Sequence, residues 1–126
     1  MIPAMTTTLY GIPNCDTVKK ARAWLDEHGV AYQFHDFKKQ GVPAANMGRW
    51  VAALGWEPLV NRKGTMWRKL PDEVKAKVVD AASAQALMAD TPSVIKRPVV
   101  EWATARGKKA PPVTVGFSAD QWAGFV

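Results

Sequence analysis

The amino-acid sequence predicts an α/β fold in which a β-α-β unit is followed by several helices and then by a β-β-α unit. Strand-like runs rich in β-branched and aromatic residues occur at 7–12, 30–35, 99–102 and 113–115. Between the second and third runs the apolar side chains recur at helical spacing instead. With 126 residues, 48% of them hydrophobic, the chain is long enough to bury a core as a single compact domain.

The first predicted unit is a strand, a helix and a second strand. The strand at 7–12 is closed by the turn residues Pro13 and Asn14. Apolar side chains at steps of three and four then indicate a helix, which Gly29 ends. Apolar and polar residues alternate over 30–35, as in a half-buried strand, and such a unit places its two strands parallel. The apolar helix residues are Val18, Ala21 and Leu25.

Helices are predicted for the middle of the chain. Pro43 suits the first turn of a helix that Gly55 ends. A second helix is predicted to begin at 70–73, where two acidic residues favour its amino end, with Val74 and Val78 on one face. Ser83 is predicted to cap a third helix. The stretch between the first two, residues 59–70, is too basic and too polar for a buried helix.

The end of the chain predicts a hairpin and a closing helix. The strands at 99–102 and 113–115 flank a loop at 107–112 that contains Gly and Pro, which favours antiparallel pairing. Ser118, followed three residues later by Gln121, is typical of a helix N-terminus. The short helix carries two aromatic residues that can pack back on the sheet, Trp122 and Phe125.

Composition excludes several classes of protein. The single cysteine, Cys15, excludes an internal disulfide and a multi-cysteine metal site. No apolar run approaches the ~18–20 residues of a membrane span, and residues 1–5 are too short for a secretory signal. A cytoplasmic protein without membrane contact is therefore expected, with Met5 as an alternative start. The net charge of +6 suits anionic ligands, but its dispersal disfavours nucleic acid.

Cys15 is the leading candidate for chemistry because it falls between a predicted strand and a predicted helix. The first N–H groups of a helix lack intrahelical partners and favour an anion, so they stabilise a thiolate. Thiols at helix starts can have pKa values of ~3.5 to 7.5 and are then nucleophilic at neutral pH. Lys19 can add positive charge, whereas Asp16 acts in the opposite direction. The alternative, an inert buried thiol, is disfavoured by the turn and surface residues on both sides.

Arg97 is the second candidate, since it precedes Pro98 at the start of a predicted strand. Its guanidinium presents five donors in a rigid fork that suits carboxylates and oxyanions, and an X-Pro bond can be cis. The alternative is a solvated basic residue before an edge-strand proline. The two histidines, His28 and His35, lack the spacing of a metal site, so no metal is expected.

Three motifs at residues 10–21, 59–70 and 92–100 resemble, in this order, those of the ArsC/Spx family, and the likeness is closest to its YffB-type branch. The resemblance covers nearly the whole chain. It implies a thioredoxin-like fold with a helical insertion between the second and third strands. The implied single ArsC-like domain, 1–126, consists of a thioredoxin-like core at about 6–40 and 92–126 and an insertion at about 41–91.

The resemblance also implies that Cys15 is the redox nucleophile and that Arg97 faces it, with Pro98 in the cis form. The sequence departs from arsenate reductases of the family, which place an arginine where the spacing here puts Asn61. Arg62 can substitute for that arginine. A reduced set of arginines weakens the binding of an oxyanion, because each charge-assisted contact helps to hold it. Arsenate is therefore not the favoured substrate.

These observations lead to the hypothesis of a glutathione-dependent monothiol reductase, a thiol–disulfide reductase. The Cys15 thiolate attacks a disulfide or a related electrophile and forms a mixed intermediate. An external thiol must release it, since the chain has no second cysteine, and glutathione is the expected co-substrate. Arg97 is the second predicted catalytic residue. The residues predicted to bind glutathione or another anion are Asn14, Asp16, Thr17, Lys19, Asn61, Arg62 and Pro98.

Two alternatives remain open. One is a glutaredoxin-coupled arsenate reductase, whose substrate is an oxyanion and whose partner is glutaredoxin. The other is a non-enzymatic, Spx-like regulator that binds RNA polymerase. Spx-type regulators use a Cys-x-x-Cys redox switch, which is absent here because Val18 occupies the second position. No bound cofactor is expected in any of these cases, and a monomer is expected.

Overall fold

The computed structural model describes residues 7–103 and 112–125, which form a four-stranded sheet and a set of helices. The strands are β1 (Thr7–Gly11), β2 (Tyr32–Asp36), β3 (Val99–Glu101) and β4 (Val113–Val115). The α-helices are α1 (Asp16–Glu27), α2 (Phe37–Gln40), α3 (Ala44–Leu54), α4 (Thr65–Lys69), α5 (Asp72–Ala76), α6 (Ala81–Asp90) and α7 (Ala119–Ala123). Glu57–Leu59 and Pro92–Val94 are 3-10 helices. None of the helices described is both long enough and apolar enough to cross a membrane.

The chain divides into two compact units, and the first comprises the described residues of 1–37 and 97–126. This unit contains the sheet, in the strand order β2-β1-β3-β4. Strand β1 pairs parallel with β2 and antiparallel with β3, which pairs antiparallel with β4. The mixed sheet confirms the predicted α/β fold class, the parallel β-α-β unit and the C-terminal hairpin. The predicted hairpin loop, 107–112, lies outside the described residues except for its last position.

Helix α1 packs one face against the sheet. Its buried residues Val18, Ala21 and Leu25 recur at steps of three and four, as the sequence predicts. They form one cluster with Leu9 of β1 and Val100 of β3, all fully removed from solvent. Burial of each valine or leucine side chain of this cluster stabilises the fold by roughly 1.5–3 kcal/mol relative to exposure, so the cluster fixes α1 on the sheet. Two tryptophans complete the cluster, Trp102 and Trp122.

The second unit comprises residues 38–96, and its described elements are helical. Helix α3 begins after Pro43 and ends at Gly55, as predicted. Gly55 has a φ of 81°, in the left-handed region that glycine tolerates at helix ends. Helices α3 and α6 pack together. Their buried residues are Met47, Trp50, Ala84 and Met88. The single domain implied by the family resemblance stays a prediction.

The structure corrects the predicted start of α6. Asp80, not Ser83, is the N-cap residue, because its Oδ1 accepts a hydrogen bond from the Ser83 N–H at 2.9 Å. The Ser83 hydroxyl accepts one in return from the Asp80 N–H at 3.1 Å. Ser83 is therefore the third helical residue of a capping box. The prediction was wrong because a serine can occupy either position, and a good capping residue lies three positions earlier.

Two further predictions for the middle of the chain need correction. Residues 59–70 contain the short helix α4, which the sequence did not indicate, although α4 has no buried residue and so agrees with the exclusion of a buried helix. The helix predicted to place Val74 and Val78 on one face ends at Ala76, so Val78 lies beyond it. A helix of five residues is too short to be defined by hydrophobic periodicity alone.

Candidate functional site

Cys15 lies at the N-cap of α1, directly after a tight turn. Its backbone N–H donates to the Ile12 carbonyl at 3.3 Å across Pro13 and Asn14, and its carbonyl accepts the helical hydrogen bond of the Lys19 N–H at 2.9 Å. Proline presets the φ that the second position of such a turn requires. Cys15 has the extended backbone of an N-cap residue, with φ −95° and ψ 126°. Its thiol is free and half-buried.

Arg97 lies just before β3 and interacts with the Cys15 thiol. Its peptide bond to Pro98 is cis, as predicted. The Pro98 carbonyl accepts a hydrogen bond from the Gly116 N–H at 2.9 Å, which ties this bend to the residue after β4. The Arg97 guanidinium donates a hydrogen bond to the Cys15 sulfur. The fold thus brings together the two residues that the sequence singles out for chemistry.

The pKa of the Cys15 thiol is lowered from its ordinary value of 9.0. Burial raises this pKa, since the thiolate loses water. The Val18 N–H, the hydrogen bond and charge of Arg97, and the Thr17 N–H together outweigh burial and lower the pKa. No cap hydrogen bond of ordinary geometry joins the side chain to the helix, so the two N–H groups act on the sulfur at longer range through their dipoles. The site therefore favours the thiolate.

The other predicted site residues of the first unit are sequence neighbours of Cys15, except for Pro98, which follows Arg97. Asn14, Asp16, Thr17 and Lys19 have exposed positions on the turn and the first turn of α1, and Pro98 is buried. Thr17 acts on the thiol through its backbone N–H. Lys19 and Asp16, which the sequence indicated for their charges, are not among the described groups that shift the Cys15 pKa. A binding role for these five residues stays a prediction.

Asn61 and Arg62 belong to the second unit, where both have local contacts. The Asn61 N–H donates to the Val94 carbonyl at 2.8 Å. The Arg62 guanidinium lies 3.8 Å from the Glu57 carboxylate and 5.2 Å from the centroid of the Trp56 ring. These contacts orient Arg62 within its own unit. The predicted contribution of Asn61 and Arg62 to an anion site at the thiol stays a prediction.

Sequence reasoning missed the contribution of Val18. The sequence indicated this residue as an apolar helix position and as the replacement for a second cysteine, yet its backbone N–H is the leading group that lowers the Cys15 pKa. The signal that could have identified it is its position. Val18 is the third residue of α1, and the N–H of that residue is one of the two that an N-cap side chain reaches.

The histidines have structural contacts. His28 stacks on Trp24 with ring centroids 3.8 Å apart, and the His35 ring lies 4.9 Å from that of Tyr10. Among residues 7–103 and 112–125, no three side chains of the types that bind metals are grouped in a way that could hold an ion.

Comparison with known proteins matches residues 10–125 to the ArsC family. The chain belongs to the ArsC family. A protein named YFFB, whose structure has been solved, is 48% identical in sequence to this ArsC-family chain. The match covers 95% of this chain and 98% of the YFFB chain, with a TM-score of 0.84. An arsenate reductase (ArsC) related protein from Brucella melitensis is 46% identical over 99% of this chain and 98% of its own, with a TM-score of 0.68.

A third similar protein has the name of a regulator. The global transcriptional regulator Spx of Streptococcus agalactiae is 26% identical over 121 residues, which cover 94% of this chain and 82% of Spx. Together these comparisons confirm the resemblance to the ArsC/Spx family and the ArsC-like, thioredoxin-type α/β fold. The names in the family include both reductases and regulators.

Proposed function

We propose that this ArsC-family protein is a glutathione-dependent monothiol reductase that acts on disulfides. The observation that supports the proposal most directly is the lowered pKa of the chain's single cysteine, which two helix N–H groups and Arg97 cause. A thiolate is the nucleophilic form of cysteine. Val18 stands where a dithiol protein of this fold has its second cysteine, so an external thiol completes the cycle.

The proposed reaction has two thiol–disulfide exchanges. The Cys15 thiolate first attacks the glutathione sulfur of a mixed disulfide between glutathione and a substrate. A bond forms between Cys15 and glutathione, the original disulfide breaks, and the substrate leaves as a thiolate that takes a proton from water. A second glutathione thiolate then attacks the glutathione sulfur of the adduct. Oxidised glutathione leaves, and Cys15 returns as a thiolate. The second glutathione supplies the electrons that reduce the substrate.

Arg97 has two roles in this proposal. Its guanidinium stabilises the Cys15 thiolate before attack and again when the thiolate leaves. The fork of donors that its guanidinium presents is of the kind that suits a glutathione carboxylate. The exposed Lys19 and the polar side chains of Asn14 and Thr17 lie along the same helix start and offer further contacts. Asn61 and Arg62 are proposed as further glutathione-binding residues.

Mass spectrometry tests the proposal directly. The protein is incubated with oxidised glutathione at pH 7, and a single adduct on Cys15 is expected, which reduced glutathione then removes. The variant Cys15→Ser, which keeps the size of the side chain, should form none. Turnover of a glutathionylated peptide is measured in parallel through the oxidised glutathione produced. A thiol that forms no adduct, or an adduct that reduced glutathione cannot release, would contradict the proposal.

A regulator that binds RNA polymerase is the second candidate, and the similarity to Spx favours it. In that case the fold serves as a docking surface and the Cys15 thiol is dispensable. Purified RNA polymerase should then bind the wild-type protein and the Cys15→Ser variant equally. Binding of polymerase together with an absence of glutathione turnover would replace the reductase proposal with this one.

A glutaredoxin-coupled arsenate reductase is a further candidate, and the similarity to the Brucella melitensis protein favours it. The presence of Asn61 in place of an arginine argues against it. Arsenate turnover coupled to glutathione and glutaredoxin tests this candidate. We expect the turnover to be far below the rate measured with a glutathionylated peptide.

A further inference from the structure

The end of β1 and the first turn of α1 meet at Gly11 and Val18. A Cβ atom at Gly11 would lie 2.8 Å from Cγ2 and 3.5 Å from Cγ1 of Val18. Both residues are buried, and Val18 has no exposed surface at all. The isopropyl group of Val18 therefore rests directly on the backbone of β1, in space that any other residue at position 11 would fill.

This contact is stiff on both sides. A valine in a helix has one strongly preferred χ1 rotamer, so its methyl groups cannot turn away without strain. Gly11 lies in the sheet between β2 and β3, because Gly11 pairs with Asp36 and its neighbour Tyr10 pairs with Val99. The backbone of Val18 is consequently held at a fixed distance from the strand, and its N–H is the leading group that lowers the pKa of Cys15.

We propose that Val18 is a positioning residue for the Cys15 thiolate and that the absence of a side chain at Gly11 is what permits the positioning. The valine at the second position of the Cys-x-x-Cys pattern then does more than replace a second thiol. Its side chain holds the first turn of α1 against β1, and the turn sets the distance between the Val18 N–H and the sulfur. This inference deepens the proposed reductase function and rests on it for its biological meaning.

The proposal predicts how a methyl group at position 11 acts on the thiol. Gly11→Ala has no conformational cost, since Gly11 does not have a positive φ, so its effect is steric. The added Cβ must push Val18 and the first turn outward, and the attraction between an N–H dipole and a thiolate weakens as they separate. We expect the rate of alkylation of Cys15 at pH 7 to fall about three- to tenfold, because less thiolate is present.

A double-mutant cycle tests the coupling. The pH dependence of iodoacetamide alkylation is measured for the wild type, Gly11→Ala, Val18→Ala and the double variant. Val18→Ala alone should raise the thiol pKa slightly, since it loosens the turn. In the double variant the alanine at 11 fills the space vacated by the valine methyls, so the pKa should return toward the wild-type value. A double variant whose pKa rises by the sum of the two single changes would overturn the proposal.

Matched substitutions separate positioning from general loss of packing. Val30→Ala removes the same two methyl groups from a partly buried side chain that packs against the same core cluster, away from Gly11, and should leave the titration of Cys15 unchanged. Gly48→Ala adds a methyl group in open space in the second unit and should also leave it unchanged. If Gly11→Ala does not fold, the pKa of Cys15 in Val18→Ala is compared with that in Val30→Ala. Equal pKa values in these two variants would refute the positioning role of Val18.

The alkylation assay does not depend on glutathione, so the two proposals can fail separately. Coupled pKa shifts in a protein that forms no releasable glutathione adduct would support the positioning role and reject the reductase. If the protein forms releasable adducts but the pKa of Cys15 does not change in the Gly11 and Val18 variants, the reductase is supported and the positioning role is rejected.

Discussion

At the scale of single residues, the reactivity of Cys15 depends on groups of two different origins. The N–H groups of Thr17 and Val18 come with the helix start and could be predicted from its position after Pro13-Asn14. Arg97 is distant from Cys15 in the sequence, so its charge acts on the thiol only because the fold brings the two residues together. Burial opposes both contributions, and their sum lowers the pKa of the thiol. The two sources can be separated by substitution.

Replacement of Arg97 by glutamine should raise the pKa of Cys15, because the charge and the charge-assisted hydrogen bond that lower it are lost while burial, which raises it, remains. The alkylation rate at pH 7 should fall by about three- to tenfold, the range expected when part of a charged hydrogen bond is lost. The measurement is the pH dependence of iodoacetamide alkylation.

Lys19→Gln is the matched control for this prediction. It also removes one positive charge near Cys15. Lys19, however, is exposed, and it is not one of the groups that shift the pKa of the Cys15 thiol. Its alkylation profile should overlay that of the wild type. An equal shift in both variants would mean that general charge, and not the contact with Arg97, sets the pKa.

The lowered thiol pKa also makes folding stability depend on pH. Because the folded state holds the thiolate more readily than the unfolded chain, whose thiol has a pKa near 9.0, folding releases protons in the range between the two pKa values. The free energy of unfolding of the wild type, minus that of Cys15→Ser, should therefore rise with pH up to about 9 and level off above it. Urea unfolding at a series of pH values measures this difference, and a difference that falls with pH would refute the assignment.

At the scale of secondary structure, helix ends with strong local signals could be predicted and those with ambiguous signals could not. Pro43 and Gly55 bracket α3 as expected, and the Ser118 hydroxyl accepts the hydrogen bond of the Gln121 N–H at the start of α7. The start of α6 was assigned to Ser83, one turn late, since Asp80 and Ser83 are both good capping residues. The two residues form one capping box, in which Asp80 occupies the N-cap position and Ser83 the third helical position.

The corrected cap of α6 gives a prediction that distinguishes the two assignments. If Ser83 were the N-cap, Asp80 would be an ordinary surface residue and Asp80→Ala would be neutral. Because the Asp80 carboxylate accepts the Ser83 N–H, Asp80→Ala should lower the urea midpoint of unfolding, and Asp80→Asn, which can still cap, should retain most of it.

The pH dependence of this cap has a defined sign. The backbone and hydroxyl hydrogen bonds of Ser83 lower the pKa of Asp80 below its ordinary value of 3.8. The stabilisation by the carboxylate is therefore present at neutral pH and is lost as the pH falls through the folded-state pKa. An equal urea midpoint for wild type and Asp80→Ala at pH 7 would contradict the cap.

At the scale of the whole molecule, local patterns predicted each strand, but they could not predict which strands pair across long separations. The β-α-β unit and the hairpin follow from adjacent segments. The antiparallel pairing of β1 with β3 joins them into one sheet, with Leu9 opposite Val100. That pairing is also what brings Arg97 to Cys15. The residue patterns identified both members of the candidate site, and only the family resemblance implied that they face each other.

The dependence of the Cys15 site on this distant pairing leads to the last prediction. Val100 lies in β3 between Leu9 and Thr114 and is fully buried, so Val100→Ala leaves a cavity where the two chain segments meet. The cost in the free energy of unfolding should be about 2 kcal/mol. Val79→Ala removes the same atoms from a side chain that is 70% exposed and should change stability by less than about 0.5 kcal/mol.

The urea dependence of Cys15 alkylation, followed together with tryptophan fluorescence, measures the effect on the site. Three tryptophans report on the unit that contains β3, namely Trp24, Trp102 and Trp122. In Val100→Ala the thiol should lose its low-pH reactivity at a lower urea concentration than in the wild type, because its pairing with Arg97 persists only while β3 stays on β1. If the variant unfolds earlier by fluorescence but keeps its thiol titration beyond that transition, the lowered pKa belongs to the helix start alone and Arg97 has no part in it.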